Sequence, residues 1–312
     1  MAHQHDTPSN DGANDTLEKD FSAGNSHGPT NNAKDDALER IRTAGSISIP
    51  PELFEKLYLS PENRVSGDLR KTFGNPTPLA LIGFVLSLTP LSCDLMGWRG
   101  AGGTGAASTG AYFGFGGLLM ILGSIGEWIL GNTFPFVVFG TYGAFWIALA
   151  STLVPWFNAY GAYVSDPTEI ASQAGNPGNP FGLQTPAFNA SFAFFFLFLA
   201  LISLIFLIGS LRTNIAFFLI FFTLVGAFAS LAGAYWSLAL AYENPKNTLA
   251  AHHAARLVVA GGAFAFVTSL SGWYLIVAIL LAELDFPVQL PVGDLSWLIR
   301  GKSERAKAKD AV

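Results

Sequence analysis

Asn75-Pro76-Thr77-Pro78-Leu79-Ala80-Leu81-Ile82-Gly83-Phe84 opens an apolar run that continues to Gly97. Its length decides the fold class, because about 20 apolar residues in helical rise cross the hydrocarbon core of a bilayer. Five further runs reach that length: Ala111–Leu130, Phe134–Val154, Ala187–Leu211, Ile215–Tyr242 and Ala255–Ala282. The chain is therefore read as an all-α integral membrane protein with six transmembrane helices. The opening residues are unusual guests at a membrane entrance. Proline removes a backbone donor, and an asparagine amide is costly in lipid unless it finds a partner or water. Their placement predicts a break in regular helix beside a cavity, with polar groups aimed at a solute.

Composition agrees. The 312 residues are 51% hydrophobic and 12% charged, against about 25% charged in an ordinary soluble domain. The charges are segregated: between Lys71 and Arg300 only Arg99, Arg212, Lys246 and Arg256 carry a positive side chain. A net charge of -5 gives no sign of nucleic-acid binding. The lone cysteine, Cys93, excludes an intrachain disulfide. The polar N-terminus lacks the apolar core of a signal peptide, so insertion is expected to begin at the first spanning helix.

Four segments follow from these patterns. Residues 1–50 are rich in Asn, Asp, Gly, Ser and Thr and are expected to form a disordered cytoplasmic tail. Residues 51–74 form a juxtamembrane segment in which Leu53, Phe54, Leu57 and Tyr58 make a short stripe at helical spacing. Residues 75–285 hold the six helices, and 286–312 form a cytoplasmic C-terminal tail. Lysine and arginine near the helix ends place both termini in the cytoplasm. With three helices per half, the halves would have opposite topology, as in inverted-repeat transporters. Asn75-Pro-Thr-Pro before the first helix and Thr185-Pro-Ala-Phe-Asn before the fourth give a repeat thin support. Gly110, Gly114, Gly116, Gly117, Gly123 and Gly126 make the second helix rich in small residues, which allow close approach in lipid. Such helices also suit side-by-side assembly.

Few residues could carry chemistry. The GxSxG, HExxH, CxxC and P-loop patterns are missing, which argues against an enzyme, and no cofactor is expected. His252-His253 makes a weak metal site, because adjacent residues point to different faces of a helix; a surface pair is the plainer reading. Ionisable residues at membrane depth carry a functional expectation. Asp94, Glu283 and Asp285 sit near helix ends, and Glu127 lies in the last turn of the second helix before Gly131-Asn132-Thr133-Phe134. Glu127 reads either as a carboxylate at the mouth of a pore or as a cap partner for that turn. Tyr142, in Thr141-Tyr142-Gly143-Ala144-Phe145-Trp146, combines an aromatic wall with one hydroxyl. It suits a narrow, mostly apolar passage, or plain packing beside Gly143.

The two polar islands, in this order, resemble the acetate uptake transporter family of fungal and bacterial monocarboxylate permeases. The NP-x-P-L-x-L signature matches Asn75 to Leu81. GNTF matches Gly131 to Phe134, and (S/T)YG-x-FW matches Thr141 to Trp146. Phe286-Pro287-x-x-Leu290-Pro291 is similar to the family's tail. The resemblance covers about residues 73–295. It implies six helices per protomer around a central pore and a homo-hexamer. It also implies acetate or another small carboxylate as substrate, with proton coupling, in the plasma membrane. Carried across, the substrate pathway comprises Asn75, Thr77, Phe84, Glu127, Tyr142 and Leu224. The chain departs from the pattern at Ala80, in place of Gly, and at Met120, in place of Gln, which bears on substrate identity more than on fold.

On this reading Asn75, Thr77 and backbone N–H groups at a helix start would favour an anion, and Phe84, Tyr142 and Leu224 would form a hydrophobic waist. Desolvating a bare carboxylate there is expensive, so protonation during passage lowers the barrier. Two rivals remain: an ammonium or ammonia exporter on the same scaffold, and a membrane sensor signalling through its tail. An integral membrane enzyme is disfavoured by the missing catalytic set.

Overall fold

Local chemistry sets the helix ends in the computed structural model, which describes residues 69, 72–164 and 180–295. Helix α1 (Thr77–Leu95) starts where Pro76 and Pro78 pre-set the backbone, and Asn75 Oδ1 accepts the Thr77 N–H at 3.0 Å. Helix α3 is Thr133–Leu153 and α4 is Pro186–Ser210. Thr185 Oγ1 caps α4 by accepting the Phe188 N–H. Asn214 Oδ1 caps α5 (Ile215–Glu243) through the Phe217 N–H, and Asn247 Oδ1 caps α6 (Thr248–Glu283) through the Ala250 N–H. Each cap satisfies one of the N–H groups that a helix start leaves without an intrahelical partner.

The span α2 (Gly103–Ile129) is composite. It opens in 3₁₀ geometry over Gly103–Ser108, winds as a π-helix over Tyr112–Leu119 and ends as α-helix over Met120–Ile129. The wide segment faces close neighbours. A Cβ on Gly116 would lie 2.4 Å from Trp146 Cγ, and one on Gly117 would lie 2.5 Å from Ile147 Cγ1, both on α3. From α1, a Cβ on Gly83 would meet the Phe115 carbonyl oxygen at 2.4 Å. Glycine on both sides is what lets α1, α2 and α3 close on one another.

All six helices are long and apolar enough to cross a membrane, so this is a multi-pass membrane protein. The spans fall within a few residues of those expected, except that α2 opens at Gly103, eight residues before Ala111, and α6 at Thr248, seven residues before Ala255. His252 and His253 consequently lie in its second turn, both exposed. Helix α5 packs between α4 and α6, α6 packs on α1, and α2 lies against α1 and α3. Edge and stacked ring contacts bind the centre: Phe134 to Phe206 and Phe221, Tyr142 to Phe206 and Phe228, and Phe196 to Phe228 and Tyr235. Such pairs contribute about 0.5–1.5 kcal/mol each beyond area burial.

Beyond α6 the chain turns back beneath the α4–α5 connection. The Ile215 N–H donates to Gly293 O at 3.0 Å and the Leu295 N–H to Thr213 O at 2.9 Å, so that Asn214 and Asp294 form an antiparallel bridge. Tyr274 Oη donates to Pro291 O. Gly293 holds φ +66 where a Cβ would strike Ile215, which accounts for glycine there. On the opposite face, Tyr160 and Tyr163 pack edge-on against Phe188. Burial pushes the Tyr160 hydroxyl up to about 12, so it stays neutral at physiological pH. The expected tail 1–50, the stripe at Leu53, Phe54, Leu57 and Tyr58, and residues 296–312 lie outside the described residues.

Candidate functional site

The six residues singled out by sequence fall into two groups. The first is a polar knot at the face where α1 starts and α6 ends. Asn75 Nδ2 donates to Glu283 Oε1 at 2.8 Å, while its Oδ1 accepts the Thr77 N–H. The Thr77 hydroxyl donates to Glu127 Oε1, and Asn132 Nδ2 donates to Glu127 Oε2 at 2.6 Å. Glu127 is 0% exposed, and a buried carboxylate is tolerated only where hydrogen bonds replace lost water. The Asn132 N–H also donates to Glu127 O, and Gly131 takes φ +75 between them. Glu127 thus serves the α2–α3 turn as a cap partner, one of the two roles left open by its position. One amide N–H of Asn75 and the Thr77 hydroxyl, expected to face a solute, donate instead to Glu283 and Glu127. The knot ties α1 to α2, α3 and α6 at one end.

The second group lines a cavity. Phe84 from α1, Tyr142 from α3 and Leu224 from α5 all contribute to it, with Phe145, Phe196 and Phe228 beside them. The lining continues through Leu91, Leu95, Tyr235, Leu238 and Val258 toward the face opposite Asn75. Asn75, Thr77 and Glu127 are not among the lining residues. The cavity measures about 80 Å³, where roughly 10–15 Å³ suffices for one water, so it has room for a small solute or several waters. Its walls are mostly hydrocarbon and aromatic ring, with Thr104 among them, and no Asp, Glu, Lys, Arg or His among the described residues lines it. Tyr142 is 3% exposed and its hydroxyl lies 2.8 Å from Ser203 Oγ on α4.

Two residues escaped the sequence reading. Ser203 is one of three serines in the 25-residue apolar helix α4; it bonds Leu199 O within that helix, and Tyr142 on α3 supplies its second partner. Trp146 lines the cavity, and its buried Nε1–H is without a hydrogen-bond partner. Its place in the FW pair marked it as an aromatic, yet whether the indole N–H is satisfied depends on neighbours from other helices.

Six apolar spans, knotted at one face and hollow between the middle of the helices and the other face, define a polytopic membrane protein built around an internal passage. The chain belongs to the GPR1/FUN34/yaaH family, whose pattern matches residues 59–297. It is similar to protein alcS of Aspergillus fumigatus, at 49% identity over 251 residues, covering 80% of this chain and 86% of that one. It is 30% identical over 277 residues to acetate permease A of Emericella nidulans, covering 87% of this chain and 82% of that protein. Among solved structures, the bacterial acetate channel SatP shares the fold with a TM-score of 0.50 and 23% identity, over 71% of this chain and 99% of that one.

Proposed function

We propose that the protein moves acetate and related short carboxylates across the plasma membrane in a proton-linked manner and is not an enzyme. The observation that carries this reading is the cavity shared by Phe84, Tyr142 and Leu224: a mostly apolar cavity whose hydroxyls come from Tyr142, Tyr235 and Thr104, with no charged residue among its described lining. Such a passage suits a solute with one methyl end and one polar end. A bare carboxylate loses most of its hydration there, so protonation is the inexpensive route. The name of acetate permease A, a relative that spans most of the chain, supports the same substrate class.

In this reading Asn75, Thr77 and Glu127 stand at the cytoplasmic mouth of the pathway, and Phe84, Tyr142 and Leu224 form its waist. Residues 75–285 make up the transport domain, both termini are cytoplasmic, and six protomers assemble with one pore each. The test is uptake of labelled acetate into proteoliposomes. An inward proton gradient is expected to raise the rate above that without a gradient, and Tyr142→Ala is expected to change it. Flux that is absent, or indifferent to the gradient, would overturn the proposal. Transport of methylammonium in place of acetate would favour the exporter reading.

A further inference from the structure

Ser203 fixes the direction of the hydrogen bond at the waist. Its Oγ lies 2.7 Å from Leu199 O, one helical turn back, and 2.8 Å from Tyr142 Oη. A carbonyl oxygen can only accept, so the single hydroxyl proton of Ser203 goes to Leu199. The contact between the two hydroxyls must then take its proton from Tyr142. Ser203 is 0% exposed, so if the Tyr142 proton swung away it would leave a buried serine oxygen without its donor. Tyr142 therefore lines the cavity with its proton committed to α4, and its hydroxyl offers a solute lone pairs alone.

The side chains around the Tyr142 hydroxyl do not soften this polarity. Phe206 and Phe228 flank the Tyr142 ring and Phe84 and Leu224 are apolar, while of the other polar side chains along the cavity Thr104 and Tyr235 line it with the residues toward the far face and the Trp146 N–H is buried, with no surface open to it. A carboxylate oxygen meeting Tyr142 would place lone pairs against lone pairs with no proton between them. The O–H of a carboxylic acid, or the N–H of a primary amide, would donate to it. We infer that the waist selects uncharged hydrogen-bond donors of acetate's shape, protonated short carboxylic acids and their primary amides, and that Ser203 is the positioning residue that enforces this selection by holding the Tyr142 proton. The inference rests on the proposed transport of short carboxylates and adds a residue and a solute class to it.

The experiment compares labelled acetate and labelled acetamide in proteoliposomes at neutral pH, with flux into protein-free vesicles subtracted, for the wild type, Ser203→Ala and Ser203→Thr. In the wild type acetamide is expected to cross and to slow acetate. Ser203→Ala frees the Tyr142 proton to face a carboxylate, so the ratio of acetate to acetamide flux should rise several-fold. Ser203→Thr keeps the hydroxyl and should retain the wild-type ratio. General damage would lower both fluxes and leave the ratio unmoved. Acetate that passes while acetamide neither enters nor competes overturns the inference and leaves the transport proposal standing. An unchanged ratio in Ser203→Ala likewise removes Ser203 from the role. If neither solute crosses with the wild type, both proposals fall. The wild-type acetamide measurement decides the solute class even if Ser203→Ala does not fold.

Discussion

At Asn132 the side-chain amide meets the carboxylate of Glu127 with both residues buried, so the sign of each partner matters more than its size. Asn132 Nδ2 is a donor facing Glu127 Oε2 at 2.6 Å. Asn132→Ala removes one donor and is expected to cost about 1–3 kcal/mol. Asn132→Asp keeps the shape but sets a second acceptor against the first, and should cost more than the alanine variant. The thermal midpoints of the two variants in detergent measure this, and the order alanine above aspartate is the expected result. The sequence made part of this site legible. Asn75-Pro-Thr-Pro and Gly-Asn-Thr-Phe stood out because proline and asparagine are rare in apolar runs. Which groups they would bond to was not legible. The partners of Asn75 and Thr77 come from α6 and α2, at positions 208 and 50 residues away. Ser203 illustrates the opposite failure, since one serine among three in the apolar span α4 gives no sign of which other helix will meet it.

At the scale of elements, the spans were readable because length and hydropathy alone decide whether a helix crosses a bilayer. The internal geometry of α2 was not, since an apolar Gly-rich run looks the same whether it winds as α or π. The packing of α1 on that segment gives a sharp contrast. Gly83→Ala would push a methyl group into the Phe115 carbonyl, an atom of the backbone that cannot rotate aside. Overpacking of this kind costs about 1–3 kcal/mol. Gly114 has nothing within 4 Å of its would-be Cβ, so Gly114→Ala should leave the protomer's stability unchanged or raise it by up to about 1 kcal/mol. Thermal unfolding of the two purified variants tests the pair. Equal losses would show that the two faces of α2 are not packed as described.

At the scale of the whole molecule, the transport reading separates from the sensor reading by what the chain can lose. All six spans lie between Thr77 and Glu283, and the family pattern begins at residue 59. A chain lacking residues 1–50 is therefore expected to insert and to carry acetate at a rate close to that of the full chain, measured in the same proteoliposomes. Loss of flux on this deletion, with the membrane part still folded, would place the tail in the transport cycle. At the same scale the return of the chain beneath α4 and α5, through Gly293 and Leu295, makes the end of the described protein part of its architecture. The Phe-Pro-x-x-Leu-Pro pattern hinted at a tail, but the residues that pair with Ile215 and Thr213 are Gly293 and Leu295 just beyond it, where no motif marks them.

The π-wound stretch Tyr112–Leu119 sets the rotational phase of everything after it in α2. Glu127 reaches Thr77 on α1 only at that phase, while Asn132, in the turn just after it, moves with it. The spacing from Gly116 to Glu127 is thus a keyed length, in which the number of residues matters as much as their identity. Rewinding the stretch as α-helix at the same residue count would turn Glu127 by roughly 100° and swing its carboxylate away from Thr77. Taking one residue out of the stretch as it rewinds would instead nearly restore that phase, because its i→i+5 turns hold one residue more than α-turns, so winding and residue count are read together at the far end of α2.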